Sequence, residues 1–147
     1  STGPQEADSY GYLTELDALI YYTLNEKWTF GGEALYGVES DVPGTSDQYS
    51  QWYGAAIYPS YAACPHMAVN GRLEWFNDAD GVRGVGANNA FEVTLGLTLL
   101  PLADNKEIGT ALKIRPEIRF DYADSPVFNA GTDYSQTTFA VDAVLAF

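Results

Sequence analysis

The sequence has little cysteine, histidine or basic charge, and each shortage excludes a class of protein. Its 147 residues include 1 Cys and 1 His, so neither an internal disulfide nor a zinc site built from several cysteines can form. Only 7 Lys and Arg stand against 20 Asp and Glu, which gives a net charge of -13. A chain this acidic, with no basic cluster, repels nucleic-acid phosphates. We therefore expect no nucleic-acid partner.

Long apolar runs are also missing. A membrane-spanning helix needs about 18 to 20 consecutive apolar residues. The most apolar stretch, Phe91 to Leu102, is interrupted by Glu92, Thr94 and Thr98. The first residues are polar and do not resemble a signal peptide, so we expect that any such signal has been removed or was never part of this chain, and export is not excluded. The chain nevertheless contains 46% apolar and 14% aromatic residues, which is too much for a disordered acidic tail.

Apolar residues recur at every second position along most of the chain. Alternate side chains of a β-strand point to opposite faces, so this period predicts strands. The alternating segments are residues 14–24, 28–39, 51–61, 67–76, 91–99, 111–122 and 137–147. No segment has a convincing helical period. The sequence therefore predicts a flexible lead-in over residues 1–9 and an all-β, antiparallel, up-and-down barrel over residues 10–147.

Alternation alone fits a soluble barrel with an apolar interior as well as a membrane barrel with an apolar exterior. Three features favour the membrane barrel. Lysine is scarce, although soluble sheets usually carry many lysines on the outer face. Aromatic residues gather near the ends of the predicted strands, where a membrane barrel meets the lipid headgroups. Short turns, such as residues 25–27 and 62–66, alternate with long loops at residues 40–50, 77–89 and 123–134.

A ladder of charged residues is the strongest functional candidate. The residues that we assign to it are Arg72, Glu74, Lys113, Arg115, Glu117, Arg119 and Asp121. An Arg or Lys that faced lipid at the bilayer midplane would cost about 2 to 4 kcal/mol, so we expect these side chains to line a water-filled lumen. There they would set the selectivity for ions and solutes. The alternative, that they pair with one another and brace the wall, is compatible with this role.

Other chemistry is weakly supported. Glu74 and Glu117 are the obvious carboxylate pair for a glycosidase, but nothing marks either one as the acid. Cys64 and His66 would supply only half of a zinc site. The Asp78–Gly81 stretch has the spacing of a calcium loop without its further ligands. We predict no catalytic residue, no cofactor and no resident metal, and leave calcium binding by the acidic loops open.

Several motifs resemble a known family. They are, in order, Arg72-Leu-Glu-Trp-Phe-Asn-Asp-Ala-Asp-Gly-Val-Arg83, Phe91-Glu-Val-Thr-Leu-Gly-Leu97, Ile114-Arg-Pro-Glu-Ile-Arg-Phe-Asp121 and the terminal Phe147. Over residues 71–147 the chain resembles the C-terminal part of the outer-membrane β-barrel porins of Gram-negative-type bacteria. The resemblance implies a passive diffusion channel in outer-membrane lipid, with Phe147 read by the outer-membrane insertion machinery.

The predicted strand number is odd, whereas single-chain bacterial barrels have an even number of strands. Seven strands therefore indicate part of a larger barrel, completed by another chain or by further copies of this one. A strand within residues 1–13 would instead allow an eight-stranded barrel. Two other functions stay open at this point: a soluble β-sandwich or barrel that binds a ligand such as a carbohydrate, and a non-conducting structural barrel of the outer membrane.

Deletion of Phe147 tests the insertion signal. We expect the shortened protein to reach the outer membrane in lower yield, because the resemblance assigns recognition by the insertion machinery to this ring. The measurement is the amount of detergent-extracted protein in isolated outer membranes, with Phe147→Tyr as the aromatic control. Equal yields of the deletion variant and the unaltered chain would remove the assignment.

Overall fold

The computed structural model describes residues 2–3, 12–40, 49–84, 88–105, 108 and 110–146. In this part of the chain all regular structure is β-strand. The described residues contain no helix that is long and apolar enough to cross a membrane. The strands are β1 (Thr2–Gly3), β2 (Leu13–Thr23), β3 (Trp28–Ser40), β4 (Tyr49–Cys64), β5 (Met67–Asp78), β6 (Asn89–Leu99), β7 (Leu112–Ala123) and β8 (Ser135–Leu145). They form one antiparallel sheet in chain order.

The all-β, up-and-down prediction is confirmed. The seven predicted strands correspond to β2–β8, with ends shifted by a few residues. The largest change is in β4, which continues to Cys64 and leaves only Pro65 and His66 in the turn to β5. Among the described residues the sheet is not closed, because β8 pairs with β7 alone. It is an open sheet, consistent with part of a barrel.

The N-terminal prediction is only partly covered. Thr2 and Gly3 pair with Thr14 and Leu13, so β1 lies along the start of β2. The rest of the predicted lead-in lies outside the described residues, as does Phe147.

Continuous register gives the sheet two faces of opposite character. Leu13–Thr23 pairs residue by residue with Thr29–Glu39, and the ladder is irregular only near Ala62 and Cys64 among the pairings described. One face carries the odd-numbered residues of β2, β3 and β7 and the even-numbered residues of β4, β5, β6 and β8, and we call it the polar face. The opposite face is the apolar face.

The apolar face is exposed across the whole sheet. Leu95 on β6 and Val141 on β8 are 56% and 71% exposed, although both are aliphatic. Mostly aliphatic side chains, with Phe139 on β8 among them, fill the middle of this face, and aromatic rings cross it near both ends of the strands. The row at the short turns contains Tyr22, Trp28, Phe30 and Tyr61. The row at the long loops contains Tyr36, Tyr53, Trp75, Phe91 and Tyr122.

The two aromatic rows are separated by a distance that suits a membrane barrel. Tyr53 and Tyr61 lie about 26 Å apart along β4, at about 3.3 Å for each residue. A strand tilted by about 40° would turn this length into a band of about 20 Å, close to the band of about 25 Å of outer-membrane barrels. Neighbouring rings contact one another: the centroids of Trp28 and Phe30 are 5.7 Å apart, and those of Tyr53 and Trp75 are 5.5 Å apart.

The polar face is more closely packed, and its largest fully buried side chain is Trp52. The residue is 1% exposed and lies against Gly37 on β3. A Cβ atom at Gly37 would overlap the indole ring, so only glycine leaves room for it. On its other side the ring is covered by the Arg83 guanidinium, whose carbon lies 3.7 Å from the ring centroid.

Substitution of Gly37 by Ala tests this contact. The added methyl group must displace Trp52, and overpacking of this kind typically costs about 1 to 3 kcal/mol. We expect the variant to unfold at a lower denaturant concentration in detergent micelles, followed by Trp fluorescence.

The control for this test is Gly32→Ala on the apolar face. There a Cβ would meet only the Cγ2 methyl group of Ile20, at 3.4 Å. Equal losses of stability in the two variants would contradict the account of Trp52 packing.

Candidate functional site

A row of carboxylates crosses the polar face. Strand pairing places Glu74 directly opposite Glu92, and Glu92 directly opposite Asp121. Glu33 lies in the same row, separated from Glu74 by Ala56. Like charges that face each other across strands destabilise a sheet unless a counter-charge intervenes. This row therefore depends on basic side chains from elsewhere.

Two arginines in the adjacent row supply that counter-charge. Arg72 and Arg119 both pair with Thr94 on β6, so they are on either side of Glu92 and one row away from it. Arg72 forms an ion pair with Glu74, and its Nε lies 3.5 Å from Glu92 Oε1. Arg119 Nη2 lies 3.0 Å from Glu92 Oε2 and 2.6 Å from Asp121 Oδ1. The carboxylates are thus bridged rather than left to repel one another.

Glu92 is the central carboxylate of this network. It is 6% exposed, and it contacts both arginines. Thr94 Oγ donates a further hydrogen bond to Glu92 Oε1 at 2.9 Å. Because each of its oxygens has a basic partner, Glu92 fixes the positions of both guanidinium groups.

Polar contacts extend the network to both sides. Tyr58 donates its hydroxyl hydrogen to Glu33, and the guanidinium carbon of Arg72 lies 5.7 Å from the Tyr58 ring centroid. At the other side, Gln136 Nε2 donates to Asp121 Oδ2 at 3.1 Å. We call the whole network the charged belt, and its members are Glu33, Tyr58, Arg72, Glu74, Glu92, Arg119, Asp121 and Gln136. It spans the sheet from β3 to β8.

A second charged pair lies nearer the short turns. Arg115 Nε donates to Asp142 Oδ1 at 2.8 Å, and the two residues are directly opposite on β7 and β8. Between this pair and the charged belt is an open cavity of about 490 Å³. Asn70, Thr94 and Thr98 contribute to its lining. Water and small polar solutes can therefore contact charged groups and hydroxyls on the polar face.

The β5–β6 loop is held against the polar face near the long loops. Asp78 accepts hydrogen bonds from the backbone N–H groups of Val82 and Arg83, at 2.9 and 2.7 Å. Asp80 Oδ2 accepts one from Gln51 N at 2.7 Å. Arg83 also lies 3.4 Å from Glu39. The two aspartates that suggested a calcium loop thus hold the loop backbone in place.

The other candidate metal residues, Cys64 and His66, have different surroundings. Cys64 is exposed at the end of β4, while His66 Nε2 faces Asp104 at 3.2 Å. In the part of the chain that the structure describes, no three His, Cys, Asp or Glu side chains are grouped as a metal site.

The seven side chains predicted from the sequence all lie on the polar face. Four of them, Arg72, Glu74, Arg119 and Asp121, belong to the charged belt, and Arg115 pairs with Asp142. Glu117 and Lys113 form no ion pair with another described residue. The role of this set in selectivity stays a prediction.

Sequence reasoning missed several members of the network. Glu92 and Asp142 were on the correct face of their predicted strands, but each is the one charge in its strand segment, so no ladder drew attention to it. Glu33 and Tyr58 were missed for a different reason. Their contact joins β3 to β4, and it follows from a pairing register that the sequence did not give.

The sequence profile of the family described as "Putative beta-barrel porin-2, OmpL-like" matches residues 1–147. The chain belongs to this family. The match covers the whole sheet, including β2–β4, which precede the residues 71–147 that carry the resemblance. Membership in a porin family supports a porin-like, non-enzymatic role. No curated protein and no solved structure matches the chain significantly.

Substitution of Glu92 by Leu tests the central position of this carboxylate. Arg72 and Arg119 would each lose a partner, and a partly buried charged group left short of partners costs about 1 to 3 kcal/mol. We expect a lower unfolding midpoint in detergent, measured by loss of β-sheet circular dichroism.

Glu117→Leu is the matched control. Glu117 is exposed and has no ion pair with another described residue, so its replacement should change the midpoint little. If the Glu117 variant lost as much stability as the Glu92 variant, Glu92 would have no special place in the network.

Proposed function

We propose that this chain forms part of an outer-membrane porin through which small hydrophilic solutes and ions diffuse passively. The observation that supports this most strongly is the division of one sheet into an exposed apolar face and a polar face crossed by ion pairs. Outer-membrane barrels have this arrangement, with the apolar side toward lipid and the polar side toward a water-filled lumen.

The apolar face would be unfavourable in water. Soluble monomers rarely expose a continuous apolar patch of more than a few hundred Å². A soluble β-sandwich covers such a face with a second sheet, but the described residues form a single layer. The two aromatic rows add to the argument, because Tyr and Trp side chains favour the level of the lipid headgroups. We therefore propose outer-membrane lipid as the partner of this face and the outer membrane as the location.

Strand direction limits how the barrel is completed. In a sequential antiparallel sheet β2 and β8 run the same way, so joining their edges directly would create a parallel pair. An antiparallel closure needs an odd number of strands between the edges of β2 and β8. The two residues of β1 pair antiparallel with the start of β2 at this edge. Every side chain of β8 is exposed. We propose that the missing strands come from another chain or from further copies of this one, after delivery by the insertion machinery.

Two measurements separate this proposal from its alternatives. An outer-membrane porin should be recovered from membranes only with detergent, and it should then conduct ions in a planar lipid bilayer. A protein that is soluble without detergent would support the ligand-binding alternative. A detergent-dependent protein that inserts without conducting would support the structural barrel and contradict the porin proposal.

The double substitution Arg115→Glu and Arg119→Glu tests whether the polar face lines the pore. It replaces two positive charges by negative ones, so we expect the channel to become more selective for cations. The measurement is the reversal potential in a salt gradient across a planar bilayer.

The control reverses one charge away from the polar face, Lys27→Glu in the β2–β3 turn. We expect it to leave the reversal potential close to that of the unaltered protein. An unchanged potential in the double variant would show that Arg115 and Arg119 do not govern permeation.

A further inference from the structure

We infer that the pore prefers small cations to anions, an inference that rests on the proposed porin function. The charges of the polar face are unequal. Its strand carboxylates are Glu15, Asp17, Glu33, Glu39, Glu74, Asp78, Glu92, Glu117, Asp121 and Asp142. Its basic strand residues are Arg72, Lys113, Arg115 and Arg119. The face is therefore strongly negative, as is the whole chain.

The arginines do not offset this surplus for a passing anion. Arg72, Arg115 and Arg119 each form an ion pair with a carboxylate on the same face. Arg83, from the β5–β6 loop, forms an ion pair with Glu39, with 3.4 Å between Nη2 and Oε2. An anion would have to compete with these carboxylates for each guanidinium. At longer range, the paired charges largely cancel each other's field, so the arginines attract a distant anion only weakly.

Several carboxylates have no such partner. Asp17, Glu33 and Glu117 form no ion pair with a basic side chain in the described ranges, and Glu33 instead accepts the Tyr58 hydroxyl. On the positive side, Lys113 likewise forms no ion pair with a described residue. The field that reaches the middle of the lumen is therefore dominated by carboxylates, which favours cations.

The two signs are also separated across the sheet. On the polar face the basic strand residues lie on β5 and β7. The charged side chains that the described parts of β2 and β3 place on this face are all carboxylates. Glu15, Asp17, Glu33 and Glu39 form this acidic wall. A cation that follows β2 and β3 thus meets mainly carboxylates, and the arginines nearest to this wall are Arg83 beside Glu39 and Arg72 over the Tyr58 ring. We expect small monovalent cations, such as alkali-metal ions and simple ammonium ions, to use this path.

Salt concentration offers a second readout. The Debye length is about 10 Å at 0.1 M salt and about 3 Å at 1 M. Fixed charges on the wall act across a lumen in dilute salt and are screened in concentrated salt. A preference that arises from wall charge must therefore weaken as salt increases, whereas one that arises from pore width would not.

The experiment uses the protein assembly purified from membranes in detergent and placed in planar bilayers under a KCl gradient. We expect K⁺ to be at least about threefold more permeant than Cl⁻ in dilute salt, with the ratio falling toward one in concentrated salt. The double variant Asp17→Asn and Glu117→Gln should reduce the ratio by about half, and both side chains are exposed enough for the fold to tolerate the change. The matched control, Glu26→Gln in the β2–β3 turn, should leave the ratio unchanged.

The outcomes distinguish the two proposals. A channel that conducts but favours Cl⁻, or shows no preference in dilute salt, would overturn the inference and leave the porin proposal intact. A cation preference that the double variant does not reduce would also overturn the assignment to wall charge. Absence of any conductance from an inserted protein would overturn both proposals together.

Discussion

The continuous antiparallel register is the constraint on which the rest of this structure depends. Side chains alternate between the faces of a strand, so a slip of one residue between two strands would move every side chain of one strand to the opposite face. On β7 such a slip would place Arg115 and Arg119 among the aliphatic side chains. The cost of charged groups in hydrocarbon, about 2 to 4 kcal/mol for each Arg at the midplane, would then penalise the misaligned sheet.

The same register creates an electrostatic problem and its solution together. It aligns Glu74, Glu92 and Asp121 side by side, which is unfavourable in isolation. It also places Arg72 and Arg119 one row away, where each reaches two of these carboxylates. Removing the arginines would leave the carboxylates to repel one another, and removing Glu92 would loosen both arginines. In the proposed pore, the groups that brace the wall would also be groups that a solute meets.

The two faces of the sheet accommodate their large side chains in different ways. On the apolar face, aromatic rings flank an aliphatic band and remain exposed. On the polar face, Trp52 is buried because Gly37 leaves space beneath it and Arg83 covers it. Lipid can cover the first set of side chains, whereas the protein itself must cover the second. The β5–β6 loop contributes to that cover through Arg83, and Asp78 and Asp80 hold it in position.

The sequence by itself determined the all-β class, the approximate strands and the face on which each side chain lies, because a period of two is a local property. It also singled out the ladder from Lys113 to Asp121, since its alternation is visible within one strand. Only the tertiary structure decided which charges meet. Arg72-Leu-Glu74 and Arg115-Pro-Glu117 have the same spacing, which suggests that Arg72 and Arg115 occupy equivalent positions on their strands. The strand pairing instead aligns Arg72 with Arg119, because both pair with Thr94. Cross-strand pairing joins residues far apart in the chain. The ion pairs of Glu92 and Asp142 therefore follow from the alignment of the strands and could not be read from either strand alone.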